Sequence, residues 1–243
     1  MLMLAVFMLQ GRTVAQETIF NDGETHITYN REVLGGLLIN TFGWGLNFQK
    51  NFFKTNDKRV NFEIQMNFVK HPKQKKSFNP YYRDGKGYHY GKLNSFFVLR
   101  GMYGTRNIVA HKIRSKGVEF GYTWGIGPSL GFLKPVYLEI INRDQNRLEI
   151  EKYDPERHNE DNIYGRAGGL RGFDEVQFKP GVFAKFGLFV EYSNKKTGIS
   201  GIEAGIALDA YLEKIEIMAQ IDNYQFFPIL YANIFFGSKF NKY

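Results

Sequence analysis

Five histidines, His26, His71, His89, His111 and His158, are the natural candidates for acid–base chemistry in this chain. A nucleophilic site would need one of them within hydrogen-bond reach of a serine, with a third group orienting the ring. No His-x-Ser occurs, so no histidine and serine share one strand face at neighbouring positions. His89 sits in a basic aromatic stretch, Tyr81 to Tyr90, and the other four fall at strand ends or in connections. Asp154, Glu156, His158, Glu160 and Asp161 crowd one segment, and clustered oxygen ligands can hold Ca²⁺. The segment lacks the spaced, glycine-turned ligand series of a calcium loop, and Arg157 interrupts it, so it reads as a solvated charged loop. With no cysteine, a disulfide framework, an Fe–S cluster, a cysteine-ligated zinc and a lipoprotein anchor are all excluded. The expectation is a protein without catalytic residues, metal or cofactor.

Charge points instead to contact surfaces. The formal net charge is +8, but no Lys/Arg stripe lies on a helical pattern, so nucleic acid is not an expected partner. Between His71 and Lys92 stand Lys73, Lys75, Lys76, Arg83, Lys86 and Lys92, opposed by Asp84 alone. They are interleaved with Phe78, Tyr81, Tyr82, Tyr88 and Tyr90. This stretch is the candidate contact loop, suited to anionic lipid head groups, lipopolysaccharide or an acidic partner surface. The stretch from Arg143 to Val176 has the opposite sign, six Lys/Arg against nine Asp/Glu. Opposite charge favours packing of the two loops on one another.

The elements that hold these loops are strands. Val118, Phe120, Tyr122, Trp124 and Ile126 are apolar and alternate with Glu119, Gly121, Thr123, Gly125 and Gly127. Strict alternation is the strand period. Here the apolar face is large and aromatic and the other is small or polar, the reverse of a soluble sandwich. Such a strand suits a barrel with lipid outside and little room within. Similar alternation runs from Val60 to Phe68, Trp44 to Phe48, Phe178 to Tyr192, Ile202 to Ala210 and Leu230 to Phe236, and more weakly from Phe96 to Tyr103. Glu32 to Asn40 is apolar on both faces and is taken as strand one because a closed barrel needs a partner for the last strand. Glu63, Arg100, Glu119, Lys185, Glu191, Glu203, Asp209 and Lys239 then share inward parity. Inward charges of both signs in a narrow barrel should pair, with Arg100 set against Glu63 or Glu119. The protein is expected to be a closed scaffold and not a pore.

Connection lengths give an independent check. Periplasmic turns of bacterial barrels are short and external loops long. Counting back from Tyr243, the external connections are Glu213 to Gln225, Arg143 to Val176, His71 to Lys92 and a tight turn near Asn40 to Gly43. The periplasmic ones are Ser193 to Gly198, Asn107 to Lys116 and Thr55 to Lys58. The alternation holds if Val118 to Ile140 is one long strand bent at Gly127-Pro128, with Lys134 near the interface. The fold class is therefore all-β, an eight-stranded antiparallel transmembrane β-barrel with long external loops.

Residues 1–15 carry a short apolar core followed by Thr13 and Ala15, the small residues of a secretory cleavage site, leaving 16–243 as the barrel. The rest of the chain has no run of 18 apolar residues. The terminal Phe236-Gly-Ser-Lys-Phe240-Asn-Lys-Tyr243 resembles the C-terminal β-signal of outer-membrane assembly at Gly237 and Phe240, while Lys242 and Tyr243 depart from its spacing. As a pattern over 26–243, the chain resembles the small outer-membrane β-barrel superfamily. That group includes the membrane domain of outer-membrane protein A and the PorT-like barrels of the Bacteroidetes type IX secretion apparatus. Local strings such as His71-Pro72-Lys73, Tyr90-Gly91-Lys92-Leu93-Asn94 and Lys134 to Glu139 look like those of Bacteroidetes barrels. The resemblance implies residence in the bacterial outer membrane, with other outer-membrane or periplasmic proteins as partners. It implies a structural or accessory subunit of an assembly or secretion complex. The alternatives are a surface-binding adhesin barrel or a lipid A-modifying enzyme.

Overall fold

The computed structural model describes residues 29–82, 84–112, 117–142, 147–193 and 197–241. The expected signal peptide, His26 and the final Tyr243 lie outside these residues. Eight strands close into an antiparallel barrel: β1 (Arg31–Asn40), β2 (Gly43–Phe53), β3 (Lys58–Val69), β4 (Asn94–Ala110), β5 (Gly117–Pro135), β9 (Gln177–Ser193), β10 (Gly198–Tyr211) and β11 (Phe226–Phe240). Each pairs with its chain neighbours, β5 pairs with β9, and β11 returns to β1 with Gly35 opposite Phe236. Closure leaves no barrel edge unpaired, the condition for strands in lipid.

Burial is inverted relative to a soluble protein. Trp44, Phe48, Phe62, Ile64, Trp124, Phe186, Ile206 and Leu230 face out and are exposed, while Asn51, Glu63, Asn67, Glu191 and Asn233 face in and are buried. Exposed apolar surface on this scale is stable only in a membrane. β1, unreadable from its pattern, places Glu32, Leu34 and Leu38 inward and Leu37 and Ile39 outward.

Inward glycines explain why that face reads as small. A Cβ on Gly121 would come within 2.6 Å of the Phe189 ring, and one on Gly131 within 2.7 Å of Phe96. Each glycine is a socket for a large side chain from a neighbouring strand, so the lumen is filled by few residues.

The long strand expected over 118–140 ends earlier. β5 passes Gly127-Pro128 in unbroken register with β4, Arg100 opposite Ser129 and Tyr103 opposite Ile126. The chain leaves the barrel after Pro135, which has no N–H with which to extend the ladder. The Val136 N–H is donated to the Leu93 carbonyl at 2.9 Å. β6 (Tyr137–Asn142) then pairs with β7 (Arg147–Lys152) and β8 (Ile163–Arg166) in a separate sheet of order β7-β6-β8 beyond the barrel.

Candidate functional site

Two regions hold side chains that sequence alone singles out: the lumen and the external layer above it. Within the lumen, charges form separate groups. Near the periplasmic end Arg59 meets three carboxylates, Glu119 at 2.6 Å, Glu32 at 3.0 Å and Glu191 at 3.3 Å. Asn51 donates to Glu32 at 2.6 Å. Glu191 also takes Lys112 at 2.8 Å and Lys239 at 3.2 Å. Arg106 lies 3.9 Å from Glu191, and its guanidinium stacks between Phe189 and Phe235, 3.6 and 4.7 Å from their ring centres. Two ring faces thus supply part of its counter-charge. Farther up, Lys185 bridges Glu63 at 2.7 Å and Glu203 at 2.8 Å, and the Tyr231 hydroxyl donates to Glu203 at 2.7 Å.

Arg100 departs from expectation. Its partner is neither Glu63 nor Glu119 but Asp209, at 2.5 Å from Nη2, with Nε at 3.1 and 3.2 Å from the two carboxylate oxygens. It also donates to Gln65 at 3.1 Å. Inward parity fixes a residue's face but not its height. Register puts Arg100 level with Gln65 and Ser129, leaving Glu63 one inward position lower and Glu119 near the far end of β5. Glu63 and Glu119 go to Lys185 and Arg59 instead. Arg100→Ala is expected to lower stability by roughly 2–3 kcal/mol, the scale of hydrogen bonds to charged groups. A urea midpoint no different from wild type would contradict the pairing.

Arg59, Glu32, Arg106 and Lys112 escape the sequence reading. Arg59 has the parity of Glu63, and Arg106 that of Arg100 and Met102, so extending the alternation by two or four residues would find both. With these included, six cations (Arg59, Arg100, Arg106, Lys112, Lys185, Lys239) face six carboxylates (Glu32, Glu63, Glu119, Glu191, Glu203, Asp209) in the ion-pair groups of the described residues. Among the described residues these groups balance in charge, which is what removal of so many ions from water requires.

An apolar cap closes the external end. Leu38, Val69, Phe96, Val98, Leu133, Tyr211, Phe227 and Ile229 converge on Ile215, Ile217 and Met218 from the 212–225 connection. The 70–93 connection ties this cap to the outer sheet. Leu93 and Asn94 donate backbone N–H groups to Ile217, at 3.0 and 3.2 Å. Tyr88 is buried with Leu138, Ile140, Tyr153 and Ile163. Arg166 N–H is donated to Lys86 O, and Asn79 Nδ2 to Ile163 O. The two oppositely charged loops therefore do pack together. They do so through an apolar cluster and backbone hydrogen bonds; among the described residues no ion pair joins them.

Lys73, Lys75, Lys76 and Lys86 are exposed, Lys92 is half-buried, and Arg83 lies outside the described residues. Burial, together with the charges of Lys70, Lys134 and Arg166, lowers the Lys92 ammonium to about 8. Its folded value lies below the unfolded one, so the unfolded chain binds more protons between about 8 and 10.5. Charged Lys92 therefore opposes folding at neutral pH, and that opposition fades as pH rises through this window. Lys92→Met is expected to raise the urea midpoint of the external layer at pH 7, with the difference closing toward pH 10.5. A pH-independent difference would contradict this.

The four histidines among the described residues each have a structural neighbour. His71 stacks on Tyr224 at 5.4 Å, and its Nδ1 accepts the Lys73 N–H. His158 accepts the Asp154 N–H at Nδ1, which fixes the proton on Nε2, facing Glu151 at 3.2 Å. That ring has no lone pair left for a base or a ligand. His111 meets Asp57 at 2.6 Å at the periplasmic turns, and His89 is half-buried among cations. In the acidic run, Asp154 Oδ1 accepts the Glu156 N–H and so serves a turn.

No family model and no curated protein matches the chain. Among solved structures it is similar to Neisserial surface protein A, with a TM-score of 0.42 and 8% identity over 88% of this chain and 97% of that one. It is similar to Ail, the attachment invasion locus protein of Yersinia pestis, with a TM-score of 0.41 and 9% identity over 88% and 100%. It is also similar to the N-terminal β-barrel domain of Pseudomonas aeruginosa OprF, with a TM-score of 0.36 and 11% identity over 88% and 100%.

Proposed function

We propose that this is a non-enzymatic outer-membrane barrel whose closed body holds up an external protein-binding layer, and that it works as an accessory subunit of an outer-membrane assembly or secretion complex. The observation that carries the reading is the outer sheet. β7 is an edge strand with Leu148 and Ile150 exposed, beyond the membrane and held by a buried apolar cluster. A rigid edge of this kind is suited to β-strand addition by a partner chain. The charged lumen and apolar cap favour a support over a conduit. A type IX secretion-like setting is the specific version of this proposal, and export by the 1–15 segment belongs to it.

Leu148→Lys/Ile150→Lys, made on the sheet's free edge, tests the idea in cells. Loss of the outer-membrane proteins that co-purify with wild type, together with altered export of secreted proteins, is the expected result. Unchanged co-purification and export would refute it. A second reading, a surface-binding adhesin, is favoured by one feature. A cleft of about 400 Å³ lies on the same sheet, lined by Asn142, Glu151, Arg157, His158, Asn159 and Asp161. Under that reading the double variant keeps its membrane partners, while substitution of Arg157 and Asn159 abolishes attachment of intact cells to a surface ligand.

A further inference from the structure

A run of outward aromatic rings crosses five adjoining strands. Trp44 on β2 is opposite Phe68 on β3, Phe68 opposite Phe97 on β4, Phe97 opposite Phe132 on β5, and Phe132 opposite Phe178 on β9. Trp44 and Phe68 lie 5.0 Å apart, Phe97 and Phe132 stack at 4.5 Å, and Phe132 and Phe178 meet at 5.3 Å. Each ring lies near the external end of its strand, where aromatic side chains mark the boundary with the lipid head groups.

Cations stand immediately beyond these rings. Lys70 follows Phe68 by two residues and Lys134 follows Phe132 by two, so both continue the outward face one step beyond the rings. Lys92 adjoins Leu93, whose carbonyl accepts the Val136 N–H, which brings it beside the end of β5. Arg166 on β8 is opposite Leu138, two residues after Val136. Four cations thus gather over the adjoining ends of β3, β4 and β5. Lys70 and Arg166 are exposed, and Lys92 and Lys134 half-buried.

None of the four has a carboxylate partner among the described residues, although other external cations do. Lys152 is 2.7 Å from Glu175, Lys179 2.5 Å from Glu213, and Arg147 2.8 Å from Glu149. Lys134 Nζ donates only to the Arg171 carbonyl, at 2.9 Å, and lies 5.3 Å from the Phe173 ring centre. The neighbouring charges that act most on Lys92 are those of Lys70, Lys134 and Arg166, and those that act most on His89 are Lys92, Lys70, Arg166 and Lys76. Mutually repelling cations held together by the fold call for an anion of high charge, and phosphate oxygens accept several charge-assisted hydrogen bonds at once.

We propose that Lys70, Lys92, Lys134 and Arg166 form a binding site for the phosphorylated head group of a glycolipid in the outer leaflet. Height selects the lipid over a soluble partner. The two outward lysines stand directly over rings that face acyl chains, where a lipid phosphate lies and a protein partner would have to enter the bilayer boundary.

The test uses the full-length barrel, delipidated and held in zwitterionic detergent. It is titrated with diphosphorylated lipid A, and separately with the same glycolipid after chemical dephosphorylation, while native mass spectrometry reads the bound fraction. Wild type should bind the phosphorylated form at least about tenfold more tightly, a preference of about 1.4 kcal/mol. The variant Lys70→Ser/Lys92→Ser/Lys134→Ser/Arg166→Ser should lose that preference. Lys152→Ser/Lys214→Ser, which removes exposed external charge outside the cluster and the 71–92 loop, should keep it. If the fourfold variant fails to fold, Lys70→Ser and Arg166→Ser, both at exposed positions, give the same reading singly with a smaller loss. Equal binding of the two lipid forms by wild type overturns the proposal, as does a preference that survives the substitutions. Full displacement of the lipid by millimolar inorganic phosphate would also overturn it, by showing a site for the free anion.

Discussion

Arg59→Met is expected to destabilise the barrel by roughly 3–5 kcal/mol. The residue is almost wholly buried and touches Glu32, Glu119 and Glu191. Glu191 keeps Lys112 and Lys239, but Glu32 and Glu119 have no other cation within ion-pair distance among the described residues. Two carboxylates would then stay in a confined space without compensation, and their desolvation outweighs what a well-packed methionine contributes. Part of the loss should return in Arg59→Met/Glu119→Gln, since that double change removes one of the stranded charges. A double-mutant cycle on urea midpoints for refolding into detergent separates the pair from the single effects. Equal midpoints for wild type and Arg59→Met would sink the network reading.

Lys185→Met should have an effect of similar size, roughly 3–5 kcal/mol, for a related reason. Its ammonium is the bridge between Glu63 and Glu203. Both acids have neutral donors as well: Gln65 at 2.7 Å and Asn47 at 3.2 Å to Glu63, and Tyr231 at 2.7 Å to Glu203. Those donors hold the carboxylates in place but do not cancel their charge. The informative comparison is Lys185→Met/Glu63→Gln/Glu203→Gln. With all three charges gone and the shapes nearly kept, stability should return close to wild type, because a buried ion cluster replaced as a whole is often neutral. A triple variant as unstable as the single one would mean that Lys185 acts by packing, for instance against the Tyr231 ring 5.4 Å away.

The division between what the sequence discloses and what it hides follows from strand geometry. A period of two determines facing, so Glu63, Lys185, Glu203 and Asp209 are legible as inward from spacing alone. Height around a closed barrel depends on register and shear, which no single strand encodes, and so the partner of Arg100 is not legible. β1 is apolar on both faces because its inward Leu34 and Leu38 enter two apolar clusters, one set among the lumen charges beside Arg106 and one capping the external end. The outer sheet is hidden for a different reason. Val136 to Ile140 continues the parity of β5, and only the missing N–H of Pro135 and the Leu93 acceptor turn it out of the barrel. The basic loop stands out by composition, yet its tightest cation cluster involves Lys70, Lys134 and Arg166, which lie outside its sequence bounds and meet it only through the fold.

Ion-paired charge plugs the lumen of this barrel, and Phe96, Tyr211, Phe227 and Ile217 cap it, so it should not conduct. Single-channel recording in planar bilayers tests it directly. Purified protein inserted at high density should give no stable conductance steps above the lipid background, at either polarity. Long-lived, uniform open channels from the folded wild-type protein would show that the lumen is open.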